Sequence, residues 1–278
     1  MNTELNFSQK IAICYTVCGP TYKLSAVEKL RNRVKADNIY YFVIADDKNY
    51  FKDVADTDIT IKELKEFYKE YPEIEPYEFF EEITDLKEYG DKFLNNNYVF
   101  PFSTMRFHIK MAHDMGITNV ALLATDSDFR FELVNDELLA DKNKLYFAVS
   151  HWPPYESELV KIQVIADVIK DLWGIDAPVP KMVYDEAARF YVFDTLEFMN
   201  KFFRMYHELI IEIFKRNLMR QYFCGPVVYN EEVILAVLYS MLGISGVDPG
   251  KVGLFHVNHD LAKERPWTVG VGPWGAPT

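Results

Sequence analysis

Asp126 and Asp128 stand one residue apart at the end of an apolar run, residues 119–125, and His259 lies six residues before Arg265-Pro266-Trp267. Carboxylate oxygens suit hard divalent cations such as Mn²⁺ or Mg²⁺, and Mn²⁺ also accepts an imidazole nitrogen. The run Asn119-Val120-Ala121-Leu122-Leu123-Ala124-Thr125 reads as a buried strand, being short and apolar. Such a strand carries both carboxylates to its C-terminal end, where open α/β sheets bind ligands. Two carboxylates and a distant histidine therefore describe a metal site with positions left open for a diphosphate. Asp56-Thr57-Asp58 repeats the spacing, but no apolar strand precedes it, and it reads as a solvated loop.

Alternating elements must position these groups. Residues 11–17 and 39–45 read as strands, the first stopped by Gly19-Pro20 and the second by Asp46-Asp47. Residues 25–34, 61–71 and 103–115 read as helices, the last ending at Gly116. The acidic, aromatic stretch 72–97 reads as mostly irregular. Strands are expected at 145–149, 189–193 and 251–257, with helices at 158–173 and 230–242. A long helix from Thr195 to Arg220 is expected to open through Asp194, with Glu197 as its capping-box partner. Its aromatic residues form a core face, and its charges exclude a membrane span. The alternation predicts an α/β fold with a mixed, mostly parallel, doubly wound sheet.

Composition narrows the classes of function. The 278-residue chain carries a formal charge of −12, and 49% of it is hydrophobic, enough for a sizeable core. The charge falls mainly in the first two thirds: −6 over residues 1–100, −5 over 101–180 and −1 over 181–278. A polyanion is repelled by the first two segments, and only the last, with Lys201, Arg204, Lys215, Arg216 and Arg220, is suited to one. Three cysteines without a Cys-x-x-Cys pair suit a reducing compartment and argue against structural zinc. Met1-Asn2-Thr3-Glu4 opens no signal-peptide pattern, and no apolar run reaches the ~20 residues of a membrane span. A soluble, cytoplasmic protein is expected, in the host cytoplasm if phage-encoded.

The motifs together resemble the GT-A fold glycosyltransferases, and within them family eight, the glycogenin and galactosyltransferase group. In that family an Arg-bearing helix precedes the strand ending in Asp-x-Asp; here Arg106 precedes Asp126-Ser127-Asp128. The family's C-terminal signature is His-Phe-x-Gly-x-x-Lys-Pro-Trp, and this chain has His259-Asp260-Leu261-Ala262-Lys263-Glu264-Arg265-Pro266-Trp267. The spacing from His to Pro-Trp is the same, while Asp260, Ala262 and Arg265 replace Phe, Gly and Lys. Arg265 keeps a cation able to grip a pyrophosphate through two hydrogen bonds. His256 is an alternative ligand to His259. Glu231-Glu232 occupies the place of the family's Asp-Gln pair facing the donor sugar, although carboxylates also suit any helix N-terminus.

The resemblance implies a metal-dependent transferase using a nucleoside-diphosphate sugar, a UDP-sugar foremost, with retention of anomeric configuration. It implies metal ligands Asp126, Asp128 and His259 or His256. Donor contacts would come from Tyr15, Thr16, Val17, Asp46, Asp47, Arg106, Ser127, Lys263 and Arg265, and catalytic groups from Glu231, Glu232 and Arg106. One domain is expected to span residues 1–278, with a nucleotide-sugar half at 1–128 and an acceptor half at 129–278. The acceptor stays open among a glycan, a lipid-linked sugar, a protein and a hydroxymethylated DNA base. A sugar nucleotidyltransferase and a non-catalytic carbohydrate- or nucleotide-binding module are the rival readings. The first usually shows a Gly-rich basic loop where this chain has Cys18-Gly19-Pro20-Thr21-Tyr22.

Overall fold

The computed structural model describes residues 5–17, 20–45, 47–72, 99–123, 127–147, 151–184, 188–218, 221–222, 231–247 and 255–256. Its centre is a seven-stranded sheet in the order β10-β6-β9-β4-β1-β2-β3. β1 (Ile11–Val17), β2 (Ile39–Ala45) and β4 (Asn119–Leu123) are almost wholly buried. Continuous apolar runs of this kind mark strands covered on both faces. β3 (Ile59–Glu63), β6 (Lys144–Phe147) and β10 (Ser245–Val247) run parallel to this set. β9 (Ala188–Val192) is antiparallel to both β4 and β6. The sheet is thus mixed and mostly parallel, as the sequence predicts.

Helices cover the two faces unequally. α1 (Pro20–Arg31) lays Ala26, Val27 and Leu30 against Ile11, Ile13 and Val43 on one face. α2 (Leu64–Glu70), α3 (Val99–Asp114), α5 (Glu156–Trp173), α6 (Leu196–Lys215) and α7 (Glu231–Leu242) take part in the larger core on the other. In α6 the buried residues Met199, Phe202, Phe203, Tyr206, Leu209, Ile210, Ile213 and Phe214 recur at helical spacing. Each contributes about 1.5–3 kcal/mol of burial. α7 is buried from Val233 to Tyr239, and the Tyr239 hydroxyl meets that of Tyr191 on β9 at 2.5 Å. A short helix, α4 (Asp136–Ala140), and two-residue strands β5 (Ser127–Asp128), β7 (His151–Trp152), β8 (Val183–Tyr184) and β11 (Phe255–His256) complete the described chain.

Two sequence expectations need correction. The segment from Ile61, expected to be helical, begins as β3, because β-branched Ile59-Thr60-Ile61 pack beside Tyr41, Phe42 and Val43 of β2. The helix starts only at Leu64, where the Glu66 carboxylate accepts from the Glu63 amide at 2.8 Å. α6 is capped by Thr195, whose hydroxyl accepts from the Phe198 amide at 3.1 Å, and not by a box running from Asp194 to Glu197. Asp56 and Asp58 lie in the loop expected of them, Asp56 exposed and Asp58 partly so, and pair there with Arg33 at 2.9 and 2.6 Å. The irregular stretch expected at 72–97 lies almost wholly outside the described residues.

Candidate active site

β1 has β2 on one side and β4 on the other, so successive connections depart in opposite directions from the middle of the sheet. Such a switch point opens a crevice at the carboxyl ends of the strands, where ligands of doubly wound sheets bind. Two structural features meet there.

The first is the end of β1. Tyr15 is buried, and the Thr16 hydroxyl shares a hydrogen bond of 3.3 Å with His108 Nε2 of α3. His108 is only 2% exposed, and burial pushes its pKa down to about 3, so the ring is neutral near pH 7. Sequence reasoning picked Thr16 but missed His108. A polar ring amid Met105, Phe107, Ile109 and Met111 was the available signal.

The second is the end of β4. Three residues beyond Leu123 the chain reaches the Asp-x-Asp triplet, and Ser127-Asp128 forms β5, with Ser127 fully buried. β5 pairs antiparallel with β11, placing Phe255 opposite Asp128 and His256 opposite Ser127. The backbone near the C-terminus is thereby held directly beside the mid-chain carboxylate motif. Lys29 of α1 reaches the same spot, its Nζ donating to the Ser127 carbonyl oxygen at 2.9 Å. Lys29 also went unnoticed in the sequence, where a lysine on an amphipathic helix looks like any surface cation.

α7 adds a third approach. β10, which follows it, starts in register with Lys144 at the amino end of β6. The C-terminus of α7 therefore lies at the amino edge of the sheet. Its start, about 18 Å away along the helix, lies toward the carboxyl edge. There Glu232 lies close enough to Lys161 of α5 for their charges to interact.

The remaining sequence candidates fall in several places. Val17 is buried at the end of β1. Asp47 caps a short 3₁₀ turn, accepting from the Asn49 amide at 3.0 Å. Arg106 is 2% exposed, and its Nη1 donates to His207 Nδ1 at 2.7 Å across the seam between α3 and α6. Burial, then the charges of Arg106 and Lys215, lower the His207 pKa to about 4, which keeps that ring a neutral acceptor. Arg189, a guanidinium inside an apolar strand that sequence reasoning passed over, is 6% exposed at the carboxyl edge opposite Leu122 and Phe147. Asp46, Asp126, His259, Lys263 and Arg265 lie outside the described residues, and Asp128, Glu231 and His256 are described in backbone only.

Among the described residues no three metal-ligating side chains gather. The donor types nonetheless fit a divalent cation: two carboxylates flank Ser127, and the histidine-bearing segment is hydrogen-bonded alongside. Ser127 Oγ, buried in the same place, has no hydrogen-bond partner among the described residues.

No family model matches the sequence, and no curated protein matches it. Among solved structures, the chain is similar to core-mannan synthase A from Aspergillus fumigatus in its Mn/GDP form. The two are 10% identical, with 90% of this chain and 75% of that chain covered and a TM-score of 0.49. It is also similar to the galactosyltransferase LgtC in complex with donor and acceptor sugar analogues. There the identity is 11%, the coverage 95% and 92%, and the TM-score 0.34. Among the described residues no helix is long and apolar enough to cross a membrane.

Proposed function

We propose that the protein transfers a sugar from a nucleoside diphosphate, a UDP-sugar foremost, to an acceptor hydroxyl in a metal-dependent reaction. The observation that carries this reading is the pairing of β11 with β5, which joins the His-bearing segment to the Asp-x-Asp strand at the crevice. Asp126, Asp128 and His259 hold the divalent ion, Mn²⁺ or Mg²⁺, which when bound supplies Lewis-acid neutralisation of the diphosphate. His256 serves through its backbone, fastening β11 to Ser127.

Breaking the glycosidic bond accumulates negative charge on the leaving diphosphate. Arg265 and Lys263 place fixed positive charge on the same oxygens, an arrangement needing no reorganisation at the moment of reaction. Tyr15, Thr16, Val17 and Asp46 border the base and ribose, with His108 orienting the Thr16 hydroxyl. Glu231 and Glu232 face the donor sugar from the start of α7. Arg106, engaged with His207, holds α3 in place beneath the site.

The test is a donor and acceptor screen by mass spectrometry, with oligosaccharides, lipid-linked sugars, proteins and hydroxymethylcytosine DNA, in Mn²⁺ and in chelator. Metal-dependent appearance of a hexosyl or pentosyl adduct supports the reading. Formation of a nucleoside-diphosphate sugar from a sugar phosphate would instead assign a nucleotidyltransferase.

A further inference from the structure

β7 and β8 lie just past the carboxyl edge of the sheet. β6 and β9 pair Phe147 with Arg189, and four residues further on β7 and β8 pair His151 with Tyr184. The register continues with a one-residue offset, so this ribbon extends the β6–β9 pair outward on the same side as the candidate site. Two strand spacings, about 10 Å, separate β6 from β4, the strand that leads to Asp126.

An aromatic surface stands on that ribbon. The rings of Trp152 and Tyr155 lie 6.4 Å apart and 18° from parallel. The Trp152 ring and the Tyr155 backbone are fixed through one buried carboxylate. Trp152 Nε1 donates to Glu158 at 3.1 and 3.2 Å, and the Tyr155 amide donates to Glu158 Oε2 at 2.8 Å. Pro153-Pro154 stiffens the link between the rings. Tyr155, at the start of α5, is 48% exposed, and Leu159 and Val160 of the same helix are 45% and 57% exposed. Three residues beyond Glu158 on α5, Lys161 lies close enough to both Glu158 and Glu232 for their charges to interact, so the platform's carboxylate adjoins the start of α7.

We propose that Trp152 and Tyr155 form the acceptor platform and that the acceptor is a neutral glycan. The inference rests on the transferase reading and deepens it. Rigid aromatic faces offer apolar contact to the C–H face of a pyranose at little cost in ordering. The two strand spacings between β6 and β4 suit an oligosaccharide whose terminal hydroxyl meets the donor while an inner ring rests on the platform. Charge argues against a phosphate backbone here. Glu156 and Glu158 frame the platform, and residues 101–180 carry a net −5.

The experiment uses the full chain loaded with UDP and Mn²⁺ and probed with an immobilised library of neutral oligosaccharides, alongside hydroxymethylcytosine duplex DNA. Wild type, Tyr155→Ala and Tyr155→Phe are compared, and UDP binding is titrated separately for each. The expected result is binding of a neutral glycan that weakens about tenfold in Tyr155→Ala and is kept in Tyr155→Phe, with UDP binding unaltered. Binding of DNA but of no glycan overturns the proposal, and so does equal glycan binding by Tyr155→Ala. Absence of UDP binding in wild type defeats the donor-site reading instead, and a folded Tyr155→Ala, verified by circular dichroism, keeps the two apart.

Discussion

Lys29 Nζ lies 2.9 Å from the carbonyl oxygen of Ser127, so a cation from the first helix clasps the backbone between the two aspartates of the mid-chain motif. The contact crosses from α1 to β5 and bypasses the sheet. A charged donor on a backbone acceptor is worth about 1.5–3 kcal/mol, enough to hold a short strand in place. Lys29→Met is expected to weaken Mn²⁺-dependent UDP binding about tenfold, corresponding to about 1.4 kcal/mol. Lys29→Arg, which keeps the donor, should recover most of it. Calorimetric titration checks this, and wild-type affinity in Lys29→Met would mean that β5 holds its course without the clasp.

The two C-terminal histidines should separate in the same assay. His259→Ala removes a proposed ligand and is expected to lower Mn²⁺-dependent UDP affinity by roughly 100-fold, about 2.7 kcal/mol. His256→Ala leaves the backbone pairing to Ser127 available and should stay within about threefold of wild type, under about 0.7 kcal/mol. The reverse ranking would transfer the ligand role to His256.

Acid should destabilise the protein through two buried imidazoles. Burial lowers the pKa of His108 to about 3 and of His207 to about 4, against an ordinary value of 6.5. Between those limits the unfolded chain binds more protons than the folded one, so stability rises with pH and is complete above about 6.5. Each group can contribute up to about 1.4 kcal/mol per pH unit below that point. Thermal unfolding is expected to fall steeply from pH 6.5 to 4.5, and His207→Gln, still able to accept from Arg106, should flatten the slope. An unchanged slope in that variant would show that His207 does not titrate on unfolding.

Much of the fold was legible because apolar runs and helical spacing report burial directly. β1 and β2 have the bounds their sequences predict, and Gly174 ends α5 in the left-handed conformation, at φ 67°. The antiparallel course of β9 was hidden, since Ala188-Arg189-Phe190-Tyr191-Val192 is buried on both faces as a parallel strand would be. β3 was missed because Ile61 and the charged residues after it fit a helical period as well as a short strand. Asp126 to Asp128 could be picked by its place after an apolar strand. Lys29 could not, because its significance comes from a contact made 98 residues away in the chain, and His108, marked only as a polar ring in an apolar stretch, gains its role from a contact 92 residues away.

The most direct test of the central claim is calorimetric titration of UDP into the protein with Mn²⁺ and then with excess chelator, for wild type and Asp128→Asn. Binding in Mn²⁺ that is lost in chelator and in Asp128→Asn is the expected result. UDP affinity that is indifferent to both would contradict a metal-bound diphosphate at the junction of β5 and β11.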